Sequence, residues 1–184
     1  MTEEVVILAD ENGQPAGTEN KLVVHTANTP LHFAFSAWLV RDGQVLLTRR
    51  ALTKQTWPGV WTNSFCGHPA PGETNAEAVL RRAEFELGIN PADLEEPQEV
   101  LPDFSYRAVD SSGIVENEIC PVFITTLKSG AEYEPNPAEV DSQLWVDIDQ
   151  VIAAVKAAPG VFSPWMVEEL AFDELQKALT VTLS

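Results

Sequence analysis

Basic residues are scarce in this chain: 11 Lys and Arg stand against 28 Asp and Glu, a formal charge of −17 at neutral pH. A surface of that sign repels phosphate backbones and anionic headgroups, which argues against wrapping nucleic acid or docking on a membrane. A small anionic substrate stays open, because local charge decides that. Most of the cations fall before residue 108, which allows a basic pocket on an acidic body. Cysteine is nearly absent: Cys66 and Cys120 are too few for a disulfide framework. Free thiols fit a reducing, cytoplasmic location. No run approaches the ~20 apolar residues that span a bilayer. Met1-Thr2-Glu3-Glu4 has neither the basic start nor the apolar stretch of a signal peptide. Repeats, low-complexity tracts and long linkers are lacking as well. The expectation is one domain over residues 1–184.

What is present alternates between strands and helices. Val5–Leu8 reads as a strand, followed by a turn at Asp10–Gly13. The apolar run His32–Val40, the Asp42-Gly43 turn and Gln44–Arg49 predict a hairpin. Trp57–Trp61 reads as a loop entering a short strand, and 69–72 as a second loop. Thr74 and Glu77 have the spacing of a capping box, which starts a helix that stops at Gly88. Leu101–Val109 and Ile114–Thr126 predict two strands around a turn, and Gln143–Val146 a further strand. Asp149–Ala157 and Pro164–Leu179 are amphipathic and predict helices. Several strands precede the first long helix, so the pattern is mixed α/β (α+β) without strict βαβ alternation.

Histidine is rare but placed suggestively. His25, His32 and His68 are the full complement, and His68 lies two residues beyond a cysteine. Glu116 and Glu118 are spaced i, i+2, which points both side chains to one face of a strand. Imidazole and carboxylate together suit a divalent first-row metal.

The segment Gly67–Ile89 resembles a Nudix box. Gly67, Glu73, Arg81, Glu86, Gly88 and Ile89 match in register. Arg82 and Phe85 stand where that pattern carries glutamates. The resemblance implies a Nudix-type fold, a mixed sheet flanked by helices, here with an N-terminal extension. The two departures remove carboxylates from the face that binds magnesium for pyrophosphate hydrolysis in that family.

The segments Asn63–Pro69, Tyr106–Ala108, Gly113–Glu118 and Phe162–Met166 resemble type I isopentenyl diphosphate isomerase. His25-Thr26, Leu31-His32, Thr48–Ala51 and Trp57–Asn63 fit it too, so the resemblance runs from about residue 4 to about residue 170. That family belongs to the Nudix superfamily and isomerises rather than hydrolyses. The implied substrate is a small isoprenyl diphosphate, and whether the chain acts as a monomer or a homodimer stays open.

Residue roles follow from the resemblance. Cys66 and Glu118 are implied as the acid–base pair on opposite faces of the substrate, with Tyr106 positioning or relaying a proton. Trp165 would offer a π face to a carbocation. His25, His32, His68, Glu116 and Glu118 would form one His₃Glu₂ site, with Mn²⁺, Mg²⁺ and Zn²⁺ all open. Lys21, Arg50, Lys54 and Arg82 would line the diphosphate pocket. Glu86 would hold a Mg²⁺ bridging to the diphosphate, shared with a backbone carbonyl near Cys66. Two other readings compete: a diphosphate hydrolase, which the broken helix disfavours, and a non-catalytic Nudix domain.

Overall fold

The computed structural model describes residues 4–182. The elements run β1 (Val5–Ala9), β2 (Pro15–Asn20), α1 (Lys21–Val24), β3 (His32–Phe33), β4 (Phe35–Arg41), β5 (Gln44–Arg50), β6 (Trp61–Thr62) and β7 (Phe65–Gly67). Then come α2 (Asn75–Leu87), β8 (Gln98–Leu101), β9 (Ser105–Val109), β10 (Val115–Ile119), β11 (Val122–Thr126) and β12 (Val140–Asp147). Three helices close the chain: α3 (Ile148–Ala157), α4 (Pro164–Glu169) and α5 (Asp173–Thr182). Among the described residues no helix is long and apolar enough to cross a membrane.

The strands form two sheets. One has the order β2-β1-β3-β10-β9, the other β12-β5-β4-β11-β8, with β6 attached to β5 and β7 to β4. Two parallel pairs join them. β3 lies beside β10, and β4 beside β11. The chain passes from sheet to sheet at Ala34 on one side and at Cys120-Pro121 on the other. The Ala34 amide donates to the Ile119 carbonyl and the Ser36 amide to the Pro121 carbonyl, so both strands cross over together. The residues read as single strands, 32–40 and 114–126, are therefore each broken in two. Pro121 has no N–H to give the ladder, which suits it to the break.

β4 is buried on both faces, which explains its continuous apolar run. Phe35, Ala37 and Leu39 pack with Ala78, Val79, Ala83 and Leu87 of α2. The alternate residues Trp38 and Val40 pack with Trp165, Met166 and Leu175 of the C-terminal helices. Successive side chains of a strand point to opposite faces, so one strand serves both cores.

Other expectations shift in detail. The stretch 101–109 holds only the end of β8 and all of β9, separated by a turn. The helix read over 164–179 is two helices, α4 and α5, interrupted at 170–172. The strand β1 and the short strand β6 fall where expected, whereas β2, the single turn α1 and the short strand β7 have little sequence signal. β2 is polar and mostly exposed, so no apolar alternation marks it. The helix α2 keeps its expected ends. The Thr74 hydroxyl accepts from the Glu77 amide while the Glu77 carboxylate accepts from the Thr74 amide. Gly88 closes the helix at φ +67°, and a Cβ there would lie 2.4 Å from the Glu134 carbonyl oxygen. Both facts require glycine.

Candidate active site

β10 is the spine of the site. Glu118 is the Cα partner of His32 on the parallel side and of Tyr106 on the antiparallel side. One glutamate is thus placed between an imidazole and a phenol by register alone. Glu118 Oε1 lies 3.3 Å from the Nε2 atoms of both His32 and His68. His32 Nδ1 faces the Pro30 carbonyl oxygen at 2.9 Å, so it must carry a proton, and Nε2 faces Glu118 and the cluster.

The three imidazoles form a triangle, with centroid separations of 5.2, 5.8 and 5.2 Å. One ligand atom from each of His25, His32, His68 and Glu118 lies within 4.8 Å of the others. His25 Nε2, His32 Nε2 and His68 Nδ1 are buried without a hydrogen-bond partner. Buried orphan nitrogens are costly unless something accepts their lone pairs. Burial lowers the pKa of His25 and of His68 to about 4, which keeps both neutral and able to ligate. Burial also opposes charge on Glu118, but the His32 and His68 rings beside it outweigh that and hold the carboxyl well below its usual range. Burial works against charge on His32 too, but the Glu118 carboxylate beside it raises that pKa. Three imidazoles around an ionised carboxylate are a fitting donor set for a divalent cation.

Glu116, expected as a fifth ligand, does not join this cluster. Its Oε1 accepts from Thr56 Oγ1 at 2.6 Å, and its Oε2 meets the Tyr106 hydroxyl at 2.6 Å. Sharing a face with Glu118 brings Glu116 close, but its position, paired with Ala108 rather than Tyr106, sets it two residues back along the strand. The same Tyr106 oxygen lies 2.9 Å from Glu118 Oε2. A phenol has one hydrogen, so it cannot donate to both carboxylates at once. Burial and the neighbouring Glu118 charge raise the Glu116 pKa, so Glu116 takes a proton more readily than Glu118. The Tyr106 hydroxyl thus bridges the two carboxyl groups, within reach of donating to either.

Cys66 sits on β7, opposite Ser36 of β4. Its Sγ lies 3.7 Å from Ser36 Oγ and 3.5 Å from Asn63 Oδ1. Burial pushes the thiol pKa up, so Cys66 is a neutral thiol at rest. Asn63 Oδ1 also accepts from Trp165 Nε1 at 3.0 Å, which ties the indole to the loop carrying the cysteine. The Trp165 ring is fully buried, 5.6 Å from Tyr106 and 5.4 Å from Trp57.

Cys66, Tyr106, Glu118 and Trp165 line one cavity of about 290 Å³. The four expected anion binders, Lys21, Arg50, Lys54 and Arg82, line the same cavity. Each already has partners. Lys21 Nζ lies 2.7 Å from Glu4 Oε2, and Lys54 is paired with Glu139. Arg50 donates to the Thr56 carbonyl and hydroxyl, with its guanidinium 5.4 Å from the centre of the Trp165 ring. Arg82 forks onto Glu86 Oε1 from Nε at 3.0 Å and Nη2 at 2.5 Å. Glu86, expected to hold Mg²⁺, therefore has one oxygen occupied by Arg82 and Oε2 outside that fork. Glu4, Thr56, Ser36 and Glu139 were not expected here from sequence. They belong to no motif, and nothing in their local pattern separates them from surface polar residues.

The NUDIX domain model matches residues 30–166. A protein of Corynebacterium diphtheriae named isopentenyl-diphosphate Delta-isomerase is 56% identical over 180 residues, 97% of this chain and 98% of the relative. Those of the same name from Corynebacterium efficiens and Salmonella typhi are 55% and 51% identical, over 96% and 97% of this chain and 94% and 97% of theirs. Among solved structures, DR0079 of Deinococcus radiodurans superposes with a TM-score of 0.66 at 20% identity, covering 91% of this chain and 98% of that one. A Nudix hydrolase of M. smegmatis, RenU, gives 0.59 at 19%, covering 97% and 96%. Those two likenesses speak for the fold, whereas the sequence matches to the named isomerases span nearly the whole chain. The chain belongs to the isopentenyl-diphosphate Delta-isomerases, within the Nudix superfamily.

Proposed function

We propose that the chain, acting as a single domain in the cytosol, interconverts isopentenyl and dimethylallyl diphosphate by moving a proton on and off carbon. The double bond of isopentenyl diphosphate is unactivated, and its allylic hydrogens are too weakly acidic for a side-chain base. Protonating the alkene first gives a tertiary carbocation whose neighbouring C–H is strongly acidic. The site must then supply an acid, a base, tolerance of transient positive charge, and dryness.

Cys66 serves one face of the substrate and the Tyr106–Glu118 pair the other. Glu116 holds a proton behind Tyr106, so the phenol is kept supplied when it moves its own. Trp165 presents a buried π face to the cationic carbon. Lys21, Arg50, Lys54 and Arg82 exchange their carboxylate and carbonyl partners for diphosphate oxygens, Arg82 through a planar fork suited to them. The observation that carries this reading is the convergence of a thiol, a phenol–carboxylate pair, an indole and four cations on one cavity.

A divalent ion, Mn²⁺, Mg²⁺ or Zn²⁺, would be held by His25, His32, His68 and Glu118, with Glu116 next to it. Bound there, it supplies Lewis acidity that lowers the pKa of neighbouring proton donors. Glu86 would hold Mg²⁺ together with substrate phosphate oxygens, the usual mode for that ion.

The test is Cys66→Ala. Turnover should fall by about 10³-fold or more while diphosphate binding and Tm stay near wild type. Unchanged turnover would remove Cys66 from the mechanism.

A further inference from the structure

The loop 51–60 between β5 and β6 carries more than the Lys54 cation. Its base is pinned. The Arg50 amide donates to the Val60 carbonyl, the Gly59 amide to the Arg50 carbonyl, and Arg49 Nε to the Gly59 carbonyl. Within it Trp57 stands at φ +44°, a left-handed conformation that a bulky residue keeps only where its surroundings impose it. The Trp57 ring meets Trp165 edge-on at 5.4 Å. The residue before it, Thr56, is buried and lines the active-site cavity.

Thr56 stands between the anion-binding end of the cavity and its proton-transfer end. Arg50 reaches the Thr56 carbonyl with Nε at 3.1 Å and Nη2 at 2.9 Å, and the Thr56 hydroxyl with Nη2 at 3.1 Å. A guanidinium has donors only, so the hydroxyl accepts from Arg50 and keeps its own hydrogen free. That hydrogen goes to Glu116 Oε1 at 2.6 Å. The other oxygen of the same carboxyl, Oε2, lies 2.6 Å from the Tyr106 hydroxyl. Glu116 is thus held at both oxygens by hydroxyls from two different elements, the loop and β9. The two oxygens share one rigid plane, so fixing Oε1 fixes where Oε2 points. Without the Thr56 hydroxyl, Oε1 would be a buried acceptor lacking that donor, which is costly, and turning to find another would swing Oε2 off the phenol.

We propose that Thr56 is a positioning residue for the proton-transfer chemistry: its hydroxyl, oriented by Arg50, holds Glu116 with Oε2 on Tyr106. This rests on Tyr106 being a proton-transferring group. The effect separates from substrate binding, because two of the three Arg50 contacts are to the Thr56 backbone carbonyl and survive a change of side chain. It therefore belongs in kcat and not in KM.

The experiment is steady-state kinetics of the metal-replete full chain carrying Thr56→Ser, Thr56→Val, Tyr106→Phe or the double variant Thr56→Val/Tyr106→Phe. Thr56→Ser keeps the hydroxyl and should hold kcat within about threefold of wild type. Thr56→Val keeps the shape without the hydroxyl and should lower kcat by about 10-fold or more, with KM within about threefold. The double variant should be little worse than Tyr106→Phe alone, since without the phenol there is nothing for Oε2 to meet. If Thr56→Val does not fold, the smaller Thr56→Ala carries the same comparison. A wild-type kcat in Thr56→Val, equal loss from Ser and Val, or losses that multiply in the double variant would each overturn the inference. Wild-type turnover in Tyr106→Phe would instead overturn the role of the phenol, so the two failures read differently.

Discussion

Arg82 and Glu86 sit one turn apart on α2 and are locked together, with Nη2 2.5 Å from Oε1. Arg82 stands where the Nudix pattern carries a glutamate, so an expected pair of metal-binding carboxylates has become an internal ion pair at the floor of the cavity. Glu139 lies 3.7 Å from the same guanidinium and Glu4 3.1 Å from it. Three carboxylates thus hold one cation until a diphosphate competes for it. A helix arranged this way presents a cation to the cavity and lacks the carboxylate face that hydrolysis needs.

Restoring the family glutamate tests that view. Arg82→Glu should not restore hydrolysis, because it buries a fourth carboxylate beside Glu4, Glu86 and Glu139. It should destabilise the fold by about 3–5 kcal/mol, the usual loss when a buried pair is broken. Arg82→Gln should fold better and raise KM by 10-fold or more with a smaller change in kcat. Thermal unfolding and steady-state kinetics read both effects.

Tyr106 lies between two carboxyl groups, Glu116 and Glu118. In Tyr106→Phe the chain from Glu116 to Glu118 is cut without opening a cavity. We expect kcat to fall by about 10- to 100-fold, KM to change little, and Tm to stay within a few degrees. An unchanged kcat would show that proton transfer bypasses the phenol.

Glu169, buried at the end of α4, predicts a pH dependence of stability. Its pKa is near 4.5 as an ordinary carboxyl and about 8 in the fold, so the folded state holds a proton that the unfolded chain releases between those values. The stability linked to that proton is fully present below pH 4.5 and is lost as pH rises through 8. Glu169→Gln carries no such proton. The Tm of wild type relative to Glu169→Gln should therefore fall between pH 5 and pH 8.5, by an amount worth about 1–3 kcal/mol. A constant difference across that range would show that the carboxyl is ionised in the fold.

Much of the site is legible in the sequence because its residues belong to short, rigid patterns. Cys66 and His68 lie two apart at a strand end, and Glu116 and Glu118 two apart within one, so period-two alternation places each pair on a common face. The helix α2 is legible from Thr74, Glu77 and Gly88, whose roles are local. The split of 32–40 and 114–126 is not legible, because each half reads as a good strand and only the pairing of β3 with β10 and β4 with β11 decides where they part. The contact of Tyr106 with Glu116 is also invisible, since it depends on cross-strand register. Glu169 is the extreme case: its partner Trp38 is 131 residues away, and a glutamate near a helix end reads as solvated surface. The partners of the basic residues, Glu4, Thr56 and Glu139, escape for the same reason.

The most direct test is deuterium incorporation into isopentenyl diphosphate incubated in D₂O with the metal-replete protein, with and without chelator. The expected result is deuterium on carbon in both isopentenyl and dimethylallyl diphosphate, no phosphate release above background, and loss of exchange when the metal is removed. Phosphate release without carbon deuteration, or no exchange by protein shown to hold its metal, would contradict isomerisation by proton transfer to carbon.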